Sequence, residues 1–167
     1  QKSTPYISGF TYRGERNGFE YFLYNKQVSW EEARSISETN DGYLASIENE
    51  DENVFVSSFS PTEEYFIGYT DNITEGNFYW LDGSESTYTN WASNEPSNSG
   101  PTGDEDFVVI NTSEAQSNRS DGYWSDIGPG ESWKRKFVLK RISNQGKSQF
   151  NNYTITLDTL QVRKDSS

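Results

Sequence analysis

The chain contains no cysteine. No disulfide can brace its loops, no thiolate can act as a nucleophile, and no cysteine-held metal centre can form. Its fold therefore rests on packing, hydrogen bonds and bound ions. Apolar residues make up only 31% of the 167, yet aromatics reach 16%. The core is thus expected to rest on Phe, Tyr and Trp more than on Leu and Ile. Histidine is also absent, which removes the usual general base, the usual zinc ligand and every His-based triad.

A chain of this length makes one domain, and such a domain buries ~68–70% of its unfolded surface. The formal charge is −12. That argues against nucleic acid and anionic membrane surfaces and favours cations as partners. No apolar run approaches the ~18 residues that suggest a membrane span. Abundant Ser, Thr, Asn and Gly suggest a β-rich, loop-rich, extracellular protein. Starting at Gln1 and lacking methionine, the sequence reads as a processed or excised piece.

The pattern along the chain is mixed. Tyr6, Ile7, Phe10 and Tyr12 are candidate edge-strand anchors in a polar segment, 1–18. Residues 19–25 read as a strand. Ser29-Trp30-Glu31-Glu32 matches a capping box, the Trp30, Ala33 and Ile36 stripe is helical, and Asn40-Asp41-Gly42 ends the helix. A second helix is expected from Asn49 to Ser58, with Asn49 as its cap and Phe55 and Phe59 on one face. Short strands are expected at 65–69, 78–81, 107–111, 122–124 and 136–142. Residues 143–152 read as a linker and 153–162 as one or two further strands.

Between the strands lies a long loop, 82–106, punctuated by Gly83, Asn94, Pro96, Gly100, Pro101 and Gly103. Loops of that length in a small domain are commonly functional. Acidic residues gather around it: Asp71, Glu75, Glu95, Asp104, Glu105, Asp106 and Asp126. Calcium takes 6–8 hard oxygens at ~2.3–2.6 Å, and this set supplies them. The alternative is that a strongly acidic chain forms such clusters by chance.

The order of residues then becomes specific. Trp30-x-x-Ala33, Gly42-x-Leu44-x-x-Ile47, Glu52-x-x-Phe55 and Phe66-Ile67-Gly68 come first. Thr70-Asp71-x-x-Thr74-Glu75-Gly76-x-Phe78, Trp80-x-Asp82-Gly83 and Tyr88-Thr89-Asn90-Trp91 follow. Asn94-Glu95-Pro96, Glu105-Asp106, Trp124-x-Asp126 and Phe137-Val138 complete the series. Over residues 20–141 this resembles the C-type lectin-like domain. The resemblance implies an α+β fold with two helices, small antiparallel sheets at each end and a long calcium-binding loop. Residues 1–167 form one domain on this reading. Its core is 19–142, and the flanks 1–18 and 143–167 are extensions that pair as extra strands or lead elsewhere.

The same resemblance implies the site. The principal calcium site falls on Glu95, Ser97, Glu105, Ser125 and Asp126, with Asn98 as a shifted substitute for the first Asn of the family motif. Two family Asn positions are serine here, which weakens the case for sugar more than the case for calcium. The accessory site falls on Asp71, Glu75, Asn98, the Glu105 carbonyl and Asp106. The stretch from Pro96 to Glu105 is longer than in the family, so Asp104 becomes a candidate replacement for Glu105 or Asp106. A cis bond before Pro96 is also expected; the trans preference of an X-Pro bond is only ~0.5–1 kcal/mol. The family's bridges would fall near Ser37 and Leu139, and at Phe107 and the turn after Asp126. Their loss suggests a bacterial surface domain.

The expected function is calcium-dependent binding of mannose-, fucose- or glucose-type glycans at a cell surface, as the recognition module of a bacterial adhesin. A calcium-stabilised domain that binds protein or peptide is the alternative. An enzyme is disfavoured: a glycosidase needs a protonated carboxyl, whereas carboxylates gathered on a cation stay ionised. Trp80, Trp91 and Trp124 are expected in the core, with Tyr88 and Tyr123 more exposed. Asn-x-Ser/Thr matches at Asn72, Asn111, Asn118 and Asn152 are read as chance in so polar a chain. Lys134-Arg135-Lys136 reads as a solvated strand edge.

Overall fold

The computed structural model describes residues 2–101, 103–113 and 121–148. The elements run β1 (Phe10–Arg16), β2 (Phe19–Tyr24), α1 (Trp30–Thr39), β3 (Tyr43–Leu44), α2 (Glu50–Ser57), β4 (Tyr65–Thr70), β5 (Tyr79–Trp80), β6 (Phe107–Ile110), β7 (Trp124–Ile127) and β8 (Lys136–Ile142). A short 3-10 turn spans Glu131–Trp133, and residues 144–148 form a helical turn where a linker was expected.

Both helices start where the sequence places them. Ser29 accepts from the N–H of Glu32 at 3.1 Å, and Glu32 accepts in return from the N–H of Ser29 at 2.9 Å. That pair satisfies two of the donors a helix start leaves open. Asn49 caps α2 by accepting from the N–H of Glu52 at 3.0 Å.

The strands form a single mixed ladder, ordered β1-β2-β8-β4-β6-β7, with β3 on β8 and β5 on β4. The two small antiparallel sheets expected at either end are joined by one parallel pairing, β4 with β8, through Tyr65↔Lys136 and Phe66↔Phe137. Strand alternation then sorts the core onto two faces. Tyr21, Leu23, Tyr65, Ile67, Val108, Ile110 and Val138 pack with Val56 of α2 and with Trp80 and Trp124. Their neighbours Phe22, Phe66, Phe107, Val109, Phe137 and Leu139 pack with Trp30 and Ala33 of α1. One helix closes each face. Gly68 allows β3 to pass close to β4: a Cβ there would lie 2.3 Å from the Leu44 carbonyl oxygen.

The positions the family bridges would occupy are filled by packing. Ser37 is buried and donates its hydroxyl to the Ala33 carbonyl at 2.8 Å. Phe107 stacks on Trp30 with centroids 4.5 Å apart, and Trp133 packs against the same cluster. Such a stack adds ~0.5–1.5 kcal/mol beyond burial, against ~2–4 for a disulfide.

The start of the C-terminal extension docks on the first hairpin. The Ser143 N–H donates to the Gly18 carbonyl at 2.8 Å. The strands expected at 153–162 lie outside the described residues, as do the matches at Asn118 and Asn152. Asn111 is fully buried and donates its amide to the carbonyls of Ser57, Ser60 and Glu63, so it is closed to modification. The basic run is paired: Arg135 meets Glu64 at 3.1 Å and Lys136 meets Glu63 at 2.9 Å.

A buried ion pair ties β8 to α2. Lys140 Nζ lies 2.6 Å from Glu52 Oε1, and both side chains are 5% exposed. Tyr21 donates its hydroxyl to the same oxygen, and Lys140 also donates to the Ser46 carbonyl at 3.1 Å. Removing one member of such a pair strands the other charge, which costs about 3–5 kcal/mol. Lys140→Met is therefore expected to lower unfolding stability by that amount in urea titration, whereas Lys136→Met, at the partly exposed pair with Glu63, changes it by about 1 kcal/mol or less.

Candidate metal and ligand site

Trp124 anchors the site. Its ring is fully buried and its Nε1–H donates to Asn53 Oδ1 at 2.8 Å. Its backbone N–H donates to the Asn90 carbonyl, and its carbonyl accepts from the Ala92 N–H, each at 2.8 Å. These bonds pin the start of the long loop to β7. Trp80, Trp91 and Tyr88 meet the Trp124 ring edge-on at 5.8–5.9 Å. Trp80 is buried; Trp91, Tyr88 and Tyr123 are half-buried, so Tyr88 belongs to the core margin more than to the open surface.

Two residues further along β7, Asp126 holds the loop's next segment. Its Oδ1 accepts from the Ser97 N–H at 2.9 Å and its Oδ2 from the Asn98 N–H at 3.0 Å. Glu105 Oε2 accepts from the Ser99 N–H at 3.0 Å and from the Ser97 hydroxyl at 3.2 Å. The Glu105 N–H donates to Asn98 Oδ1 at 2.8 Å. Gly100 leaves room for this carboxylate, since a Cβ there would lie 2.6 Å from Glu105 Oε1. The Glu95–Pro96 bond is cis, and Asn94 and Asn98 take positive φ.

Glu95, Ser97, Asn98, Glu105 and Asp126 therefore come together. Ser125 does not join them: strand alternation turns it away from Asp126, and its hydroxyl shares a 2.6 Å hydrogen bond with Thr112. Ser99 and Gly100, which spacing alone does not mark, complete the loop side through a backbone donor and a missing side chain.

A second set lies beside the first. Glu75, Asp104 and Asp106 bring carboxylate oxygens within 4.8 Å of one another. The Asp106 carbonyl accepts from Thr70 Oγ1 at 2.7 Å. Asp71 is 2% exposed and accepts from the Gly76 N–H at 2.8 Å. Asp104 joins Asp106 without replacing it.

Two buried oxygens in these sets, Glu95 Oε2 and Asp71 Oδ1, have no hydrogen-bond partner. An unsatisfied buried carboxylate oxygen is costly, and the donor sets are all oxygen. They fit a hard cation of the calcium kind. The electrostatics agree. Burial, a hydrogen bond to Asp126 and the charges of Asp126 and Glu105 push Glu95 up to about 7. Burial, then the charges of Asp104, Asp71 and Glu75, push Asp106 up to about 6. Asp71 is raised chiefly by burial, and Glu75 by desolvation and then by Asp71 and Asp104.

A family model, the lectin C-type domain, matches residues 26–138. The chain belongs to this family. It is 34% identical to Lectin BRA-3 of Megabalanus rosa over 86 residues, which is 50% of this chain and 53% of that protein. The chain thus spans about half the length of this curated relative. Among solved structures it resembles the C-type lectin CEL-I of Cucumaria echinata. The TM-score is 0.65 at 22% identity, over 80% of this chain and 95% of that one. It also resembles the cow C-type carbohydrate-recognition domain of CD23, with a TM-score of 0.68 at 24% identity, over 85% and 99%. These structural matches carry the fold. All three relatives are eukaryotic, so the bacterial source suggested by the missing cysteines has no counterpart among them. Domains of this family are in general binding modules without catalytic activity. Among the described residues no helix is long and apolar enough to cross a membrane.

The raised carboxylates set the pH response of the metal-free protein. Glu95 holds its proton more tightly folded than unfolded, from its ordinary 4.5 up to about 7. In that window the native state binds more protons, so this contribution to stability is complete at the acidic end and is lost as pH rises. In chelator, the melting temperature is expected to fall between pH 5 and pH 7.5, and to fall less steeply for Glu95→Gln. A flat profile for both proteins contradicts the assignment.

Proposed function

We propose that this C-type lectin domain binds carbohydrate through calcium, at the site formed by Glu95, Ser97, Asn98, Glu105 and Asp126. One observation carries the reading: three carboxylates converge on one loop, and Glu95 Oε2 is buried there without a partner. Bound calcium would offer coordination positions to a pair of vicinal sugar hydroxyls. The chain's own part is to hold the acceptors in place. Asp126 fixes the backbone of Ser97 and Asn98, and Glu105 fixes Ser99. Hydroxyl protons of the sugar then find Glu95 and Glu105 as acceptors.

Asp71, Glu75 and Asp106 form the accessory calcium site on this reading, next to the Glu105 backbone. The Glu95-Pro96 order favours mannose, fucose or glucose types. The names of the relatives support sugar as the ligand class: two are called lectins, and the CD23 domain was solved in the presence of a GlcNAc2Man3 oligosaccharide. The recognition unit is residues 19–142, flanked by 1–18 and 143–167. It serves outside the cell or at its surface, as the ligand-binding module of an adhesin.

A second reading has its own support. The Ser97 hydroxyl donates to Glu105 and the Ser125 hydroxyl is engaged with Thr112, so the side-chain amides that donate to sugar oxygens in the family are missing here. A protein or peptide ligand on a calcium-braced loop fits that loss.

Thermal unfolding separates the two. A ligand at 100 times its Kd adds about 2.7 kcal/mol to stability. Calcium is expected to raise the melting temperature relative to chelator, and millimolar mannose, fucose or glucose to raise it further. Glu95→Gln should remove the sugar increment. A calcium shift without any sugar increment favours the protein-binding reading, and no calcium shift refutes both.

A further inference from the structure

Asn53 lies within α2 and is 1% exposed. A buried polar side chain needs partners, and both of its polar atoms find them far along the chain. Its Oδ1 accepts from Trp124 Nε1–H at 2.8 Å. Its Nδ2 donates to the Gly122 carbonyl at 3.1 Å, 69 residues away in sequence. An indole N–H only donates and a carbonyl only accepts, so the two contacts ask for one acceptor and one donor on the same short side chain. Asparagine supplies both. Leucine supplies neither, and an ionised aspartate supplies acceptors alone.

The Gly122 carbonyl is shared. Asn90, in the long loop, donates its side-chain amide to the same oxygen at 2.9 Å. Both lone pairs of one oxygen are thereby used, one by the helix and one by the loop. Gly122 permits the meeting: its φ is +68°, and a Cβ there would lie 2.7 Å from Asn53 Nδ2. The helix is a fixed base for this junction. Its first turn is tied to β8 by the Glu52–Lys140 pair at 2.6 Å, and the Ser57 carbonyl at its end accepts from Asn111 at 3.0 Å. From the junction the chain runs into β7 and on to Asp126, which holds the N–H groups of Ser97 and Asn98.

We infer that Asn53 and Asn90 are positioning residues for the ligand loop: meeting at the Gly122 carbonyl, they carry the placement of α2 to β7 and to the loop, and so set the affinity of the site without touching its ligand. The affinity part of this inference rests on the calcium reading above; the geometric part does not.

The test compares three variants of the whole chain. Asn53→Asp keeps an acceptor for Trp124 and sets an oxygen against the Gly122 carbonyl. Asn90→Ala removes the loop's share of the junction at a half-buried position. Val56→Ala weakens the packing of α2 alone and serves as the control. Calcium affinity is read by calorimetry, and exchange of the Ser97 and Asn98 amides in chelator by NMR. Asn53→Asp and Asn90→Ala are expected to weaken calcium binding about tenfold and to speed exchange of both amides. Val56→Ala should lower the melting temperature and leave both readings at wild-type values. If Asn53→Asp does not fold, Asn90→Ala carries the comparison. Wild-type affinity and exchange in the junction variants overturn the inference while the calcium reading stands, as does an equal loss in Val56→Ala. If the wild type binds no calcium, the calcium reading falls, and unchanged exchange in the junction variants then overturns the inference separately.

Discussion

Strand β7 is the part on which the site depends. Within three residues it presents Trp124 to the core and Asp126 to the loop. The buried indole, its hydrogen bond to Asn53, and its backbone exchange with Asn90 and Ala92 fix one edge of the long loop. Asp126 then turns two further loop amides toward itself. A loop with few apolar anchors of its own thus borrows its geometry from a strand whose four residues are all buried. Its far side is different. There, carboxylates face one another, and two of their oxygens are buried without partners. The structure is complete on the strand side and electrostatically unbalanced on the acidic side.

The rest of the fold explains how such a loop is carried without disulfides. A mixed sheet with two apolar faces, each closed by one helix, builds its core largely from rings. Trp30 on Phe107 and Tyr69 on Trp80 stack at 4.5 and 4.4 Å. The Lys140–Glu52 pair adds a specific link between β8 and α2, whose value lies in the cost of breaking it more than in its net gain. Rings and buried pairs hold the long loop without any bond that redox conditions could break.

Much of this was legible in the sequence for local reasons. Capping boxes are four-residue signals, and Ser29 and Asn49 are both caps. The aromatic and β-branched runs in Phe19–Tyr24 and Lys136–Ile142 announce strands, and their continuous burial shows that both faces are covered. The acids of the loop were visible as a cluster before any geometry. What stayed hidden depends on side chains meeting across the chain. Spacing cannot tell that Lys140 and Glu52, 88 residues apart, share a buried contact. Nor can it tell that the Asn98 side-chain oxygen is taken by the Glu105 N–H or that Ser125 is drawn to Thr112. The parallel β4–β8 contact escaped for the same reason, since it rests on two residue pairs and has no motif of its own.

The central claim is that β7 holds one side of the loop and a cation completes the other. Hydrogen–deuterium exchange with calcium and with chelator tests it directly. On this account calcium slows exchange across residues 94–106 and 71–76, while the amides of Trp124, Val109 and Val138 exchange equally slowly in both conditions. Equal exchange of the loop with and without calcium would contradict the account, as would loss of protection along β7 in chelator.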